Sequence, residues 1–349
     1  GVLLEELESY AAALDYESDE ASLIRFTKRE YERLRRIPTE LAEELARMQT
    51  IAKDSWVKAR RADNFSLFEP DLTRMTDLQI QRAECYEAQE NIYDPLIDYY
   101  EPGMTHAQID AVFSGLKPEL VKLVEAISEN LDAVDDSVLR RAYDVEKQWS
   151  FSVTTVKQMG YDFERGRLDK APHPFTIHFS MDDVRITTRV DPNFLPTALM
   201  ATIHEGGHAM YEQGVSHSLY RTMMAEGSSM SVHESQSRLY ENNVGRSRGF
   251  WKHFFPKLKA HFAPLLDDVE METFYRAINK VQPSLIRVEA DEVTYGLHII
   301  LRFELENELI NGRITVKDLP EEWNARMEHY LGIVPSSDAN GVMQDIHWS

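Results

Sequence analysis

The sequence predicts a mainly α-helical protein that carries one small β-sheet. Apolar residues recur at helical spacing along most of the 349 residues, whereas one stretch at about 175–190 alternates in the manner of a β-hairpin. No repeat, low-complexity tract or glycine- and serine-rich linker divides the chain. We therefore expect a single domain over residues 1–349, with a helical N-terminal half (1–165) and a second half (166–349) that carries the functional residues.

The N-terminal half is a series of helical segments. Pro70, Pro95, Pro102-Gly103 and Pro118 are expected to interrupt or separate them, because proline removes a backbone donor and clashes with the preceding helical turn. The apolar periodicity predicts helices at about 3–14, 21–34, 40–64, 76–100, 105–128 and 137–160.

The pattern changes after Pro172. Two runs of β-forming residues, 173–180 and 184–190, flank the turn signal Met181-Asp182-Asp183, which is typical of a β-hairpin. Helical periodicity then resumes and predicts helices at about 194–214, 227–248, 250–263, 270–280, 284–311 and 316–332.

Composition and charge narrow the classes of function. The chain has 59 acidic and 38 basic residues, so its formal net charge is −21. Such a surface repels phosphate backbones and anionic lipids, and we expect neither a nucleic-acid nor a membrane partner. The single cysteine, Cys85, excludes an internal disulfide and a cysteine-based metal site, and favours a reducing, cytoplasmic location.

A chemical motif follows the predicted hairpin. His204-Glu205-Gly206-Gly207-His208 has the H-E-x-x-H pattern, in which two histidines one helical turn apart can reach the same metal ion. Glu205 lies about 100° round the helix from His204 and is placed to act as a general base rather than as a ligand. Zinc polarises a scissile carbonyl and lowers the pKa of water towards neutrality, which suits peptide hydrolysis.

Two glycines inside this helix need an explanation, because each costs roughly 1 kcal/mol relative to alanine. Gly206 and Gly207 indicate that another backbone approaches closely. The approaching element is either a strand, with the preceding hairpin as a candidate, or a tightly packed helix.

A catalytic zinc of this kind needs a third protein ligand. The H-x-x-G-x-x-H continuation is absent, so a glutamate is expected, and Glu226, Glu234 and Glu241 are the downstream candidates. Glu212 lies too far along the helix axis from His204 to join both histidines. Periodicity alone does not separate Glu234 from Glu241.

Six ordered blocks resemble those of the thermostable carboxypeptidase 1 family, the M32 metallocarboxypeptidases of the Thermus aquaticus type. They are HPF at 173–175, DxRxT at 183–187, HExxH at 204–208, HES-Q at 233–236, IRxxAD at 286–291 and GxxQDxHW at 341–348. The resemblance implies a nearly all-helical, zincin-like fold with a deep cleft, and a homodimer that removes single C-terminal residues with broad specificity. It places Zn²⁺, which Co²⁺ could replace, on His204, His208 and Glu234, with Glu205 as the general base. It also implies that this chain is incomplete at both ends relative to the family.

A carboxypeptidase must bind the free α-carboxylate of its substrate, and the arginine fork does so with two charge-assisted hydrogen bonds. The candidates are Arg185, Arg189 and Arg287. The resemblance favours Arg287, and Arg185 could instead pair with Asp182 or Asp183. The remaining candidates for substrate contacts, each of which could also be structural, are His173, Tyr295, Gln344 and His347.

Two other functions stay open. A dipeptidyl carboxypeptidase or an oligoendopeptidase shares H-E-x-x-H and a downstream glutamate, but lacks the HPF and IRxxAD blocks. An inactive fragment that binds metal without turnover is the third hypothesis, motivated by the length of the chain.

Overall fold

The computed structural model describes residues 1–87 and 89–348. Its α-helices are α1 (Val2–Ala11), α2 (Asp19–Arg35), α3 (Thr39–Ala62), α4 (Glu69–Glu84), α5 (Asp94–Tyr100), α6 (His106–Ser128), α7 (Val145–Met159), α8 (Pro196–Gln213), α9 (Met230–Arg238), α10 (Arg248–His261), α11 (Met271–Ile278), α12 (Thr294–Ile310) and α13 (Leu319–Leu331). A π-helical segment, Leu239–Val244, directly follows α9. In this described part, no helix is long and apolar enough to cross a membrane.

The mainly helical fold class is confirmed, while several boundaries differ from the prediction. The predicted helix 76–100 is two helices, α4 and α5, and each begins with a proline in its first turn, where the missing N–H has no helical partner. Pro118 lies inside α6 and does not interrupt it. The predicted helix 284–311 begins ten residues later, at Thr294.

The predicted hairpin is present and gains a third strand. Strands β2 (Thr176–Ser180) and β3 (Asp183–Thr188) pair antiparallel, with Thr176 opposite Ile186. Strand β1 (Leu168–Lys170) pairs parallel with β3, so the order is β1-β3-β2 and β2 is an edge strand. β1 was missed because three residues are too few to show a period of two.

The chain divides into two compact units, each built from two segments. Unit 1 comprises residues 1–30 and 132–280, and unit 2 comprises residues 31–131 with the chain from Val281 onward. The prediction of a single domain over the chain stays a prediction.

Unit 1 holds the sheet and α8. An aromatic core packs α7, α8, α10 and α11 around the fully buried Trp251 and Phe274. A smaller core joins the sheet to α7 and α8 through Val184 and Ile186 of β3. Thr188 at the end of β3 donates a hydrogen bond to the carbonyl of Ala198, 3.1 Å away, which joins the end of the strand to the first turn of α8.

Unit 2 has its own core. Apolar residues of α3 and α4 pack against α12, α13 and the segment 342–348. The capping box of Thr105 and Gln108 begins α6, since each side chain bonds to the backbone N–H of the other residue. Trp56 of α3 donates from its indole nitrogen to the carbonyl of Met343 at 3.1 Å, which fixes the end of the described chain to α3.

The two glycines of the H-E-x-x-H motif serve helix packing rather than a strand. A Cβ on Gly207 would lie 2.7 Å from the Cα of Ser237 and 2.9 Å from the carbonyl oxygen of Gln236, both on α9. A Cβ on Gly206 would collide with a side-chain methyl of Val156 on α7. Of the two explanations left open, the tightly packed helix is therefore the one observed.

Gly207→Ala should destabilise unit 1 by about 1–3 kcal/mol, because the new methyl group meets backbone that no rotamer change can move. Gly206→Ala meets only a side chain, so adding Val156→Ala should recover part of its loss. The free energy of unfolding in urea is measured for the parent, Gly207→Ala, Gly206→Ala and the double variant Gly206→Ala with Val156→Ala. Equal stability of Gly207→Ala and the parent would show that α9 can shift freely.

Candidate active site

The two motif histidines lie on one face of α8. His204 and His208 are one turn apart, their rings meet at 5.0 Å in an edge-to-face arrangement, and each side chain is 17% exposed. The helix around them is buried on its other sides, because Leu199, Met200 and Ile203 enter the aromatic core. The fold therefore presents both imidazoles from a rigid element.

Helix α9 brings a carboxylate to these histidines. Glu234 Oε2 lies 3.6 Å from His204 Nε2 and 3.3 Å from His208 Nε2. Ser229 caps the start of α9 by accepting a hydrogen bond from the N–H of Val232, one turn before Glu234. His204, His208 and Glu234 form the histidine–glutamate cluster, in which one ligand atom from each residue lies within 4.8 Å of the others.

Glu241 contacts the cluster from its outer side. It follows α9 in the π-helical segment, and its Oε2 lies 2.8 Å from Nδ1 of His204. Since Nδ1 is the nitrogen that faces away from Glu234, Glu241 orients the ring of His204 rather than joining the ligand atoms. Glu226, the other candidate from the sequence, is outside the cluster of convergent ligand atoms found among residues 1–87 and 89–348.

Arg238 joins the two glutamates. Its Nε donates to Glu234 Oε1 at 2.9 Å and its Nη1 donates to Glu241 Oε2 at 3.1 Å. Burial raises the pKa of Glu234, but hydrogen bonding with His208 and the charges of His204 and Arg238 outweigh burial and hold that pKa well below its usual range. The pKa of Glu241 is also lowered, with burial opposed by His204 and Arg238.

His208 has a different outer partner. Its Nδ1 lies 2.7 Å from Nδ1 of His233 on α9, and Nε2 of His233 lies 2.6 Å from Oε1 of Glu212. Glu212 is almost fully buried at the end of α8. Burial raises its pKa, but the hydrogen bond with His233 and the nearby His178 leave the pKa below its usual value.

Glu205 is buried beside the cluster and is oriented by the sheet. Thr176 of the edge strand β2 donates through Oγ1 to Glu205 Oε2 at 2.6 Å. The strand and the motif helix thus meet at this carboxylate, in agreement with the predicted placement of the sheet next to the H-E-x-x-H helix.

Two further candidates of unit 1 lie on exposed surface. Arg185 forms a bidentate pair with Asp183 at 2.7 Å and stacks on the ring of Phe179. His173 is exposed, and its Nδ1 lies 2.9 Å from the carbonyl oxygen of Pro174. Neither is brought into contact with the histidine–glutamate cluster by a hydrogen bond or ion pair described for unit 1.

The remaining candidates come together in unit 2. The arginine cluster comprises Arg287, Tyr295, Gln344, Asp345 and His347. Arg287 Nε donates to Asp345 Oδ2 at 2.6 Å, its Nη1 donates to the hydroxyl of Tyr295 at 3.1 Å, and its backbone N–H donates to Gln344 Oε1 at 2.6 Å. His347 pairs with Asp345 at 2.5 Å.

Charge in the arginine cluster is balanced locally. Burial raises the pKa of Asp345, but His347 and Arg287 outweigh burial and hold the pKa well below its usual range. Burial alone would lower the pKa of Arg287, and its pairing with Asp345 and Tyr295 raises it instead. The guanidinium is therefore charged and held in one orientation.

Four residues of the unit 1 site were not assigned their contacts from the sequence: Thr176, Glu212, His233 and Arg238. His233 stands in the HES-Q block and Arg238 follows Glu234 by one helical turn, so helical spacing was a usable signal for Arg238. Glu212 follows His208 by four residues on α8, so helical spacing was a usable signal there too. Thr176 contacts the site from another element, which no local spacing indicates.

The cluster has the donor set of a divalent metal site. Two imidazole nitrogens and one carboxylate oxygen converge, and the outer nitrogen of each histidine has a hydrogen-bond partner. His₂Glu sets with such outer partners are typical of catalytic metal sites that keep one position open. The residues present therefore fit a metal ion.

Comparisons with known proteins agree with this arrangement. A family model described as Carboxypeptidase Taq (M32) metallopeptidase matches residues 2–349. The chain is 43% identical over 358 residues to thermostable carboxypeptidase 1 of Thermus thermophilus, covering 100% of this chain and 70% of the relative. It is 39% identical over 335 residues to carboxypeptidase 1 of Bacillus subtilis, covering 96% of this chain and 67% of that protein.

Solved structures share the fold. An M32 carboxypeptidase from Deinococcus radiodurans matches with a TM-score of 0.93 and 39% identity, covering 99% of this chain and 69% of that one. Metallocarboxypeptidase 1 of Trypanosoma cruzi matches with a TM-score of 0.92 and 32% identity, covering 99% and 70%. Fold and site thus define a helical metallopeptidase. More narrowly, the chain belongs to the M32 family of metallocarboxypeptidases.

A buried histidine near the arginine cluster makes stability depend on pH. His298 of α12 is 1% exposed, and burial, together with the charge of Arg287, lowers its pKa to about 4. Between pH 6.5 and 4 the unfolded chain binds a proton that the folded chain does not, so stability should fall as the pH falls. The expected loss is about 1.4 kcal/mol per pH unit, or roughly 3 kcal/mol in all.

Urea unfolding at pH 7 and pH 5 measures this dependence. His298→Leu removes the titrating group at similar volume, and it should lose less stability than the parent between the two pH values. His329→Gln, on an exposed histidine of the same unit, should keep the dependence of the parent. An equal loss of unfolding free energy between pH 7 and pH 5 in the parent and in His298→Leu would show that His298 is not the titrating group.

Proposed function

We propose that this chain is a zinc-dependent carboxypeptidase that releases single C-terminal residues from peptides. The observation that supports it most directly is the convergence of His204, His208 and Glu234, with the buried Glu205 beside them. His204 and His208 would hold the ion through Nε2 and Glu234 through its carboxylate. Imidazole and carboxylate ligands in this number are those of catalytic zinc sites.

The bound ion would supply Lewis acidity, which polarises the scissile carbonyl and lowers the pKa of water. The protein's part in the reaction is proton transfer. Glu205 accepts a proton from the attacking water and later delivers it to the leaving amide nitrogen. Since Thr176 occupies Oε2 of Glu205, Oε1 is the oxygen assigned to this transfer.

Arg287 is proposed to bind the α-carboxylate of the substrate. Asp345 and Tyr295 hold its guanidinium in one orientation, and Gln344 fixes its backbone while donating to the carbonyl of Leu285 at 2.6 Å. An oriented guanidinium gives two charge-assisted hydrogen bonds at a lower loss of side-chain entropy.

Tyr295 and His347 are secondary candidates for substrate contacts. Arg185 has less support, because Asp183 already satisfies its fork.

Zinc as the resident ion, replaceable by cobalt, is part of the same proposal. The homodimer and the cytoplasmic location stay predictions. Broad specificity is carried over from the resemblance, and the exposed apolar side chains of β2 are consistent with a surface that accepts varied peptides.

The function is tested by product analysis on zinc-loaded protein. A peptide with a free C-terminus should yield a ladder shortened one residue at a time in the mass spectrum, and the C-terminally amidated peptide should resist cleavage. Glu205→Gln should abolish the ladder while binding one equivalent of zinc. Dipeptide loss or internal cuts would instead indicate a dipeptidyl carboxypeptidase or an oligoendopeptidase. Zinc binding by the parent without cleavage would indicate an inactive metal-binding chain.

Thr176→Val should lower kcat about 10- to 100-fold, since a hydrogen bond to a charged group contributes roughly 1.5–3 kcal/mol. Valine has nearly the shape of threonine, so KM and zinc content should change little. Thr176→Ser keeps the hydroxyl and serves as the matched control. A kcat of Thr176→Val equal to that of the parent would show that β2 does not orient Glu205.

A further inference from the structure

We propose that His233 and Glu212 are positioning residues that select the ring orientation and tautomer of His208. They do so through a directional chain of hydrogen bonds that begins and ends on α8. This inference rests on the proposed metal site and extends it beyond the three ligands.

The position of the hydrogen on His208 depends on which ring nitrogen faces the metal site. Its Nε2 faces Glu234 at 3.3 Å, on the side where the ligand atoms converge. A nitrogen that binds a metal carries no hydrogen, and a neutral imidazole has one N–H. With a metal ion on Nε2, the hydrogen of His208 would be on Nδ1, and Nδ1 would donate.

The contact with His208 determines which ring nitrogen of His233 carries the hydrogen. Its Nδ1 lies 2.7 Å from Nδ1 of His208, and two nitrogens at this distance need one donor and one acceptor. Because His208 donates, Nδ1 of His233 accepts and its hydrogen is on Nε2. That N–H points to Oε1 of Glu212 at 2.6 Å, and a carboxylate can only accept. With the metal site filled, one assignment of hydrogens satisfies both hydrogen bonds, from His208 to His233 and from His233 to Glu212.

The ring of His233 is confined by its surroundings. Tyr211 packs edge-to-face on it at 5.2 Å, and a Cβ on Gly227 would lie only 2.6 Å from its Cδ2. The N–H of Gly227 also donates to Glu212 Oε1 at 3.2 Å. Glu212 is four residues after His208, so the two residues lie on one face of α8. His233 bridges them from α9.

The two motif histidines are therefore oriented by different means. His204 has a carboxylate, Glu241, directly on its Nδ1, which is the common arrangement at metal sites. His208 has a second histidine in between, and its carboxylate lies one residue further out. A metal site with such outer partners typically loses 10- to 100-fold in affinity when one is removed.

The test measures zinc affinity of the metal-free protein by competition with a chromophoric chelator, together with the visible spectrum of the Co²⁺ form. His233→Phe keeps a ring against Tyr211 and Gly227 but removes the acceptor, and it should weaken zinc binding about 10- to 100-fold. His233→Asn returns an acceptor oxygen near the position of Nδ1 and should recover much of the affinity. Ser235→Ala, on the exposed side of α9, is the matched control and should bind as the parent does.

A double-mutant cycle separates positioning from a structural role. Glu212→Gln should weaken zinc binding in the parent and have little further effect in His233→Phe, because Glu212 acts through His233. Additive effects, or parent-like affinity and Co²⁺ spectrum in His233→Phe, would overturn the proposal. If circular dichroism shows that His233→Phe does not fold, His233→Asn takes its place as the background of the cycle, and additivity there would again overturn the proposal.

The proposed function has its own separate readout. Zinc binding by the parent that is lost in His204→Ala supports the metal site on which the positioning chain depends. A parent that binds no zinc, or a His204→Ala variant that binds zinc as tightly as the parent, would overturn the metal site itself. If the parent binds zinc and the His233 variants bind it with the same affinity as the parent, only the positioning role of His233 and Glu212 is overturned.

Discussion

The close approach of α8 and α9 is the constraint on which the site depends. Gly207 lies in the helix that carries both histidines, and the backbone of Gln236 and Ser237 fills the space where a side chain would stand. Glu234 is one turn or less from this contact, so the separation of the two helices sets the distance from its carboxylate to the imidazoles. A glycine that is unfavourable for an isolated helix is thereby required for the donor set.

Charge balance is the second organising feature of the site. Four glutamates, Glu205, Glu212, Glu234 and Glu241, lie in the site or beside it, and burial alone would favour the neutral forms of the last three. Arg238 compensates Glu234 and Glu241, His233 compensates Glu212 when its imidazole donates, and Thr176 donates to Glu205. A divalent cation held by Glu234 and both Nε2 atoms would add positive charge there, so metal binding and carboxylate burial would support each other.

Sequence patterns predicted correctly those helices, strands and converging side chains whose signal lies within one or two helical turns. The hairpin, α8 and the pair His204 and His208 follow from periods of two and of 3.6 residues. Contacts between elements were not predictable in this way: Thr176 reaches Glu205 across the sheet edge, and Glu241 binds the outer nitrogen of a histidine although its spacing equally suited a ligand. The helix 284–311 was drawn too long because apolar residues also recur before Thr294, where only a short 3-10 helix, Arg287–Glu289, forms.

The discontinuous construction of unit 2 has a consequence for the order in which a nascent chain can fold. The histidine–glutamate cluster and the strand that orients Glu205 lie within residues 176–241, so they can assemble once one continuous stretch has been synthesised. The core of unit 2 instead buries α3 and α4 against residues 297–348. The apolar surface of α3 and α4 therefore stays uncovered during synthesis until more than 150 further residues have been added. During this period the nascent chain is most exposed to misassociation and to chaperone binding.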